Sequence, residues 1–157
     1  MLKKLQVIFK TLIISAFLIS ISQAEILKPR SDIKPVEVIG IQLAGLQKND
    51  YNFKDSGIEQ TWNFAHPKNK KVTGPLEKFK KMIKSASYQM MINHLSHTIT
   101  KIESADNWVQ FEVIILDKEK IYHKFNWQVE KYLIDGPLKD CWLTTMVSSP
   151  IPLGSSI

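Results

Sequence analysis

The stretch "VQFEVIILDKEKIYHKFNWQVE", Val109 to Glu130, decides the fold. Val109, Phe111, Val113 and Ile115 alternate with Gln110, Glu112 and Ile114, and Ile121, His123, Phe125, Trp127 and Val129 alternate with Tyr122, Lys124, Asn126, Gln128 and Glu130. A period of two sustained this long predicts two β-strands, each with one apolar face. Asp117-Lys118-Glu119-Lys120 between them reads as the turn of an antiparallel pair.

Working outward, Tyr88 to Glu103 carries a polar-apolar pattern that predicts a bent strand, and "CWLTTMV", Cys141 to Val147, predicts a last strand after the loop holding Asp135-Gly136-Pro137. The tail from Ser148 is rich in Pro, Gly and Ser and is expected to be irregular. Upstream the period is 3.6. Val36, Ile39, Leu43 and Leu46 lie at helical spacing, widened by Val38 and Ile41, and the polar Lys48-Asn49-Asp50 is a stop. Gly40 and Gly45 lower the helix propensity there, and such glycines often mark close packing on a neighbour. A second helix is predicted from Gly57 to Ala65, capped by Asp55 or Ser56, with Ile58, Trp62 and Ala65 on one face and Pro67 ending it. A third, Leu76 to Ala86, carries Leu76, Phe79, Met82 and Ile83 as a stripe. Between them "HPKNKKVTGP", His66 to Pro75, reads as an exposed basic connection. Helices followed by a strand meander predict an α+β fold, with the N-terminal helices packed on a curved antiparallel sheet.

The two ends stand outside that domain. Lys3 and Lys4, the apolar run from Thr11 to Ser22, and small residues at Ser22 to Ala24 have the form of a secretory signal peptide cleaved after Ala24. The apolar run of about 12 residues is short against the roughly 20 that span a bilayer. The expected organisation is a signal at 1–24, an extended lead at 25–35, one domain at 36–148 and an irregular tail at 149–157. The expected location is periplasmic or secreted, with no membrane span after cleavage. The chain has 157 residues and a formal charge of +6; less 24 residues holding three lysines and no acids, 133 residues remain at +3. That mildly basic, interleaved charge argues against nucleic acid as a partner. Cys141 is the single cysteine, so no internal disulfide forms and the fold stands on packing.

Three segments and one tyrosine carry a family likeness: "DSGIEQTWNFAHPKN" (Asp55 to Asn69), "TGPLEKFKKMI" (Thr73 to Ile83) with the following Tyr88, and "DCWLT" (Asp140 to Thr144). Together with the order of elements, they resemble a domain family of unknown function found in bacteria and plants, within the nuclear-transport-factor-2-like, or cystatin-like, superfamily. The likeness runs from about Val36 to Val147. It implies a cone-shaped pocket between curved sheet and helices, which in some relatives binds small apolar ligands and in others holds Asp and His for acid-base chemistry. No catalytic residue or cofactor comes with it.

His123 is the single catalytic candidate, because it interrupts an apolar strand face and so points inward, where a histidine serves as base or ligand anchor. The competing reading is a core histidine satisfied by a hydrogen bond. No carboxylate shares its strand face; Asp50 and Glu112 are the acids that folding is expected to bring closest. Trp62, Tyr88, Phe125 and Trp127 are candidate pocket walls, or equally core. His94 and His97 would bring two rings to one metal on a helix, but a strand sends them to opposite faces, so no metal site is expected. Cys141 reads as a buried apolar cysteine rather than a nucleophile. Lys70, Lys71, Lys80 and Lys81 form a basic stretch that suits an anionic surface or, more simply, water. The sequence has no G-x-S-x-G, H-E-x-x-H, P-loop or dinucleotide fingerprint.

The expectation is an exported binding or accessory module with a small-ligand pocket and no cofactor, taking a small apolar or amphipathic ligand and able to form a homodimer. The alternatives are an interaction protein using its basic helix face or its sheet surface, and a small isomerase or hydrolase built on His123.

Overall fold

The computed structural model describes residues 25–155, so the signal segment expected at 1–24 lies outside the described residues. Four helices, α1 (Pro35–Gln47), α2 (Ser56–Asn63), α3 (Pro67–Thr73) and α4 (Leu76–Ile83), precede five strands, β1 (Ser96–Ser104), β2 (Trp108–Leu116), β3 (Ile121–Lys131), β4 (Trp142–Val147) and β5 (Ile151–Ser155). The sheet is antiparallel in the order β1-β2-β3-β4, with β5 also on β3. The protein is α+β.

β2 and β3 alternate as their period demands. Val109, Phe111, Val113 and Ile115 are buried on one face with Phe125, Trp127 and Val129, while their neighbours in sequence are at least partly exposed. Cross-strand pairs Val113 with Phe125 and Phe111 with Trp127 stack the large side chains in register. Val38, Ile39, Leu43 and Leu46 of α1, Ile58 of α2, and Phe79 and Ile83 of α4 join the same core. Each such side chain contributes about 1.5–3 kcal/mol relative to exposure. Val36, expected on the stripe, is 44 % exposed, and Gln42 is buried in its stead.

α1 begins at Pro35, whose missing N–H costs nothing at a helix start, and the Lys34 N–H donates to the Glu37 carboxylate at 2.7 Å. α1 and α2 touch at two glycines: a Cβ on Gly57 would lie 2.0 Å from the Gly45 carbonyl oxygen. The cap of α2 differs from expectation. Asp55 occupies the cap position with φ 66 but makes no capping bond, and Asn49, beyond the end of α1, accepts from the Ile58 N–H through Oδ1 (3.1 Å) and from the Gly57 N–H through its carbonyl (2.8 Å). The Asp55 carboxylate instead takes Lys84 at 2.7 Å.

The structure corrects five other expectations. Pro67 starts a helix rather than stopping one: α2 ends at Asn63, and α3 fills what reads as a solvated connection. His66 is 6 % exposed and caps α3, its Nδ1 accepting from the Lys68 N–H at 3.0 Å. The strand expected from Tyr88 is a 3-10 turn at Gln89–Met91, and β1 starts only at Ser96. The helix expected to reach Ala86 ends at Ile83. The tail expected to be irregular holds β5, which pairs with the first half of β3 while β4 pairs with the second.

Candidate functional site

A cavity of about 100 Å³ lies where α2, α4 and the 3-10 turn meet the end of β3 and β4. Leu46, Phe79, Met82, Ile83, Tyr88, Met91, Trp127 and Val147 give it apolar walls. Phe79 and Ile83 reach it because they are the buried positions of the apolar stripe of α4. Trp127 reaches it from the buried face of β3.

One wall is polar. The Trp127 Nε1–H donates to Thr144 Oγ1 (3.1 Å), whose own hydrogen goes to Gln42 Oε1 (2.6 Å); Gln42 Nε2 donates to the Thr61 carbonyl (3.0 Å), and Thr61 Oγ1 donates to the Gly57 carbonyl (2.9 Å). The chain links α1, α2, β3 and β4 through side chains that are all below 9 % exposure. Among the described residues no buried side-chain polar atom lacks a partner, so this network is closed on itself.

Of the five expected pocket residues, Tyr88 and Trp127 line this cavity. Trp62 does not: its ring lies 5.1 Å from Phe79, with the Lys70 ammonium 5.3 Å above it. Phe125 is wholly buried in the core. His123 points inward as expected, yet does not line the cavity.

His123 has a carboxylate that sequence reasoning missed. Its Nε2 donates to Asp117 Oδ2 at 2.7 Å, while Asp117 Oδ1 accepts the Ile121 N–H at 2.9 Å. Burial pushes the Asp117 carboxyl up, but the Ile121 N–H and His123 outweigh it and hold it below its ordinary value. The signal was available. In an antiparallel hairpin Asp117 stands opposite Ile121, and His123 is its diagonal neighbour. The acids expected to serve His123 go elsewhere: Glu112 meets Lys124 at 3.6 Å, and Asp50 accepts the Asp55 N–H at 2.7 Å.

His94 and His97 are not sent apart. Asn93 has φ 55, so the chain bends before β1 begins, and His94 Nε2 comes within 2.7 Å of His97 Nδ1. His94 Nδ1 donates to the Met91 carbonyl at 2.7 Å. Burial depresses both histidines; for His94 the Met91 carbonyl acts against it and His97 with it. Among the described residues no group of three or more His, Cys, Asp or Glu is arranged to hold a metal. Cys141 is buried, and burial, with Asp140 and Asp32, raises its thiol.

Half of the expected basic patch is occupied. Lys80 meets Glu59 at 2.7 Å and Glu77 at 3.2 Å, which raises its ammonium, and Lys70 sits half-buried on Trp62, where burial lowers it. Lys71 and Lys81 are exposed. Among the described residues no helix is long and apolar enough to cross a membrane.

Compared with protein-family models, curated proteins and solved structures, the chain matches none.

Proposed function

We propose that the chain is an exported, non-enzymatic binding module that takes a small, largely apolar ligand, or the apolar end of a larger one, in the cavity beneath α4. The chemistry of the cavity carries this reading. The Trp127, Thr144, Gln42 and Thr61 groups of its polar wall already bond one another, and no carboxylate, histidine, lysine or cysteine is among its lining residues. Such a site holds by shape and desolvation; proton transfer would need an acid or base within reach of the bound molecule. At about 100 Å³ the space is tighter than the roughly 150 Å³ that accepts benzene. Met82 and Met91 on its walls are flexible enough to give the difference.

Kinship with the nuclear-transport-factor-2-like cone is part of the proposal, supported by helices packed on one face of an antiparallel sheet and by the motifs from Asp55 to Thr144. Export rests on the charged start and apolar run of the first 24 residues.

Thermal-shift and methyl NMR titrations with indole, phenol and short alcohols test the cavity. At least one probe should raise the midpoint saturably and move the Met82 and Met91 methyl signals. Val147→Phe, which fills the rim, should remove the response without unfolding the protein. No saturable response from any probe, or an undiminished one in that variant, overturns the reading.

A second reading, acid-base catalysis, draws on the 2.7 Å contact of His123 with Asp117. It ranks below the first because His123 is 9 % exposed and away from the cavity.

A further inference from the structure

His94 has its tautomer fixed by its surroundings. The Met91 carbonyl can only accept, so Nδ1 carries the hydrogen, and the lone pair of Nε2 faces His97. His97 must then fill the 2.7 Å gap with its own Nδ1–H. The result is two imidazole nitrogens converging on one point, with a single exchangeable hydrogen between them. A backbone carbonyl holding the far nitrogen of a histidine is also the support that metal-ligating histidines use to orient the ring and raise its basicity.

We propose that His94 Nε2 and His97 Nδ1 form a two-histidine site for a borderline divalent transition ion, Cu²⁺ or Zn²⁺, in which the ion replaces the hydrogen between the rings. The inference stands apart from the apolar cavity and does not depend on it. Two nitrogens bound at about 2.0–2.1 Å to one tetrahedral ion lie roughly 3.4 Å apart, so the pair must open by some tenths of an ångström. His97 supplies that movement: it is half-buried on the edge strand β1, whereas His94 is 2 % exposed and fixed. The hydrogen moves from Nδ1 to Nε2 of His97, so a neutral pair binds the ion without net proton release.

The donor set selects the ion. Imidazole suits zinc and copper and binds copper more tightly, while calcium and magnesium require oxygen ligands. Because no third side-chain ligand is arranged there among the described residues, the remaining positions belong to water or an incoming ligand. That makes an open, exchangeable site rather than a closed structural one. The other histidines differ. His66 Nδ1 is spent on the Lys68 N–H and His123 Nε2 on Asp117, so each is an internal control.

Isothermal titration of the purified full chain with ZnCl₂ and with CuCl₂ tests the site, alongside His97→Asn and His123→Asn. Asn at 97 keeps a donor for His94 Nε2, so the fold survives while one ligand is lost. The expected result is one ion per chain, at least tenfold weaker binding in His97→Asn, and unchanged binding in His123→Asn. Imidazole ¹⁵N spectra should show His97 passing from the Nδ1–H to the Nε2–H form on zinc addition. Binding that is absent, or equally tight in His97→Asn, or that leaves the His97 ring signals unmoved, overturns the proposal.

Discussion

Asp117 holds two bonds that matter for different reasons: one closes the β2–β3 hairpin at Ile121, the other anchors His123 inside the sheet. Asp117→Asn keeps the shape but loses the charge in both, and a loss of about 1–3 kcal/mol of stability is expected from urea titration at pH 7. The pH dependence has a definite sign. The folded carboxyl is held below its ordinary 3.8, so its contribution is complete above that value and disappears as pH falls through the folded pKa. The variant should therefore lose less stability than the wild type between pH 4 and pH 2, and an equal loss would show that the charge is not what Asp117 supplies.

At the scale of elements, the two glycines that weaken α1 on paper have different jobs. Gly45 meets Gly57 at the helix crossing, whereas a Cβ on Gly40 meets nothing within 4 Å. Gly40→Ala should raise stability by about 0.5–1 kcal/mol. Gly57→Ala should lower it by more than about 3 kcal/mol or prevent folding, because the atom it would strike is backbone. Thermal melts of the pair separate propensity from packing. His66→Ala should cost about 1 kcal/mol by removing the cap of α3, with His66→Asp recovering most of it.

The limits of sequence reading fall at these same elements. β2 and β3 were legible because a buried sheet face imposes a strict period of two, and the stripe of α4 because one apolar face in a cationic helix has few other uses. α3 was not, since Pro67 serves equally as a stop for one helix and the first residue of the next. β5 was hidden by a composition suited to loops. Its partner residues lie some thirty positions away, and no local pattern reports such pairing. The meeting of His94 with His97 turned on one left-handed residue, Asn93. The link between Gln42 and Thr144 spans 102 positions and leaves no trace in spacing.

For the molecule as a whole, His66, His94 and His97 act in one direction. Burial is the main cause that holds each below its ordinary 6.5, so the unfolded chain binds protons that the folded chain refuses. Stability should be full above about pH 6.5 and decline as pH falls below it through the folded values. Melting midpoints at pH 7.5, 6.0 and 5.0 measure this, and His97→Asn should flatten the slope. A midpoint constant from pH 7.5 to 5.0 would contradict it.

The pairing of β5 also bears on how the protein behaves in a crowd of its own copies. Ile121 to Lys124 would otherwise present a bare strand, and bare strands recruit strands from other chains. β5 covers that stretch and carries Pro152, which has no N–H to offer a newcomer. A chain shortened after Ser148 should keep the helical layer and β1 to β4, yet scatter light at a lower temperature and protein concentration than the intact chain. The last strand, exposed along its length, is expected to shield the start of β3 from pairing with other copies.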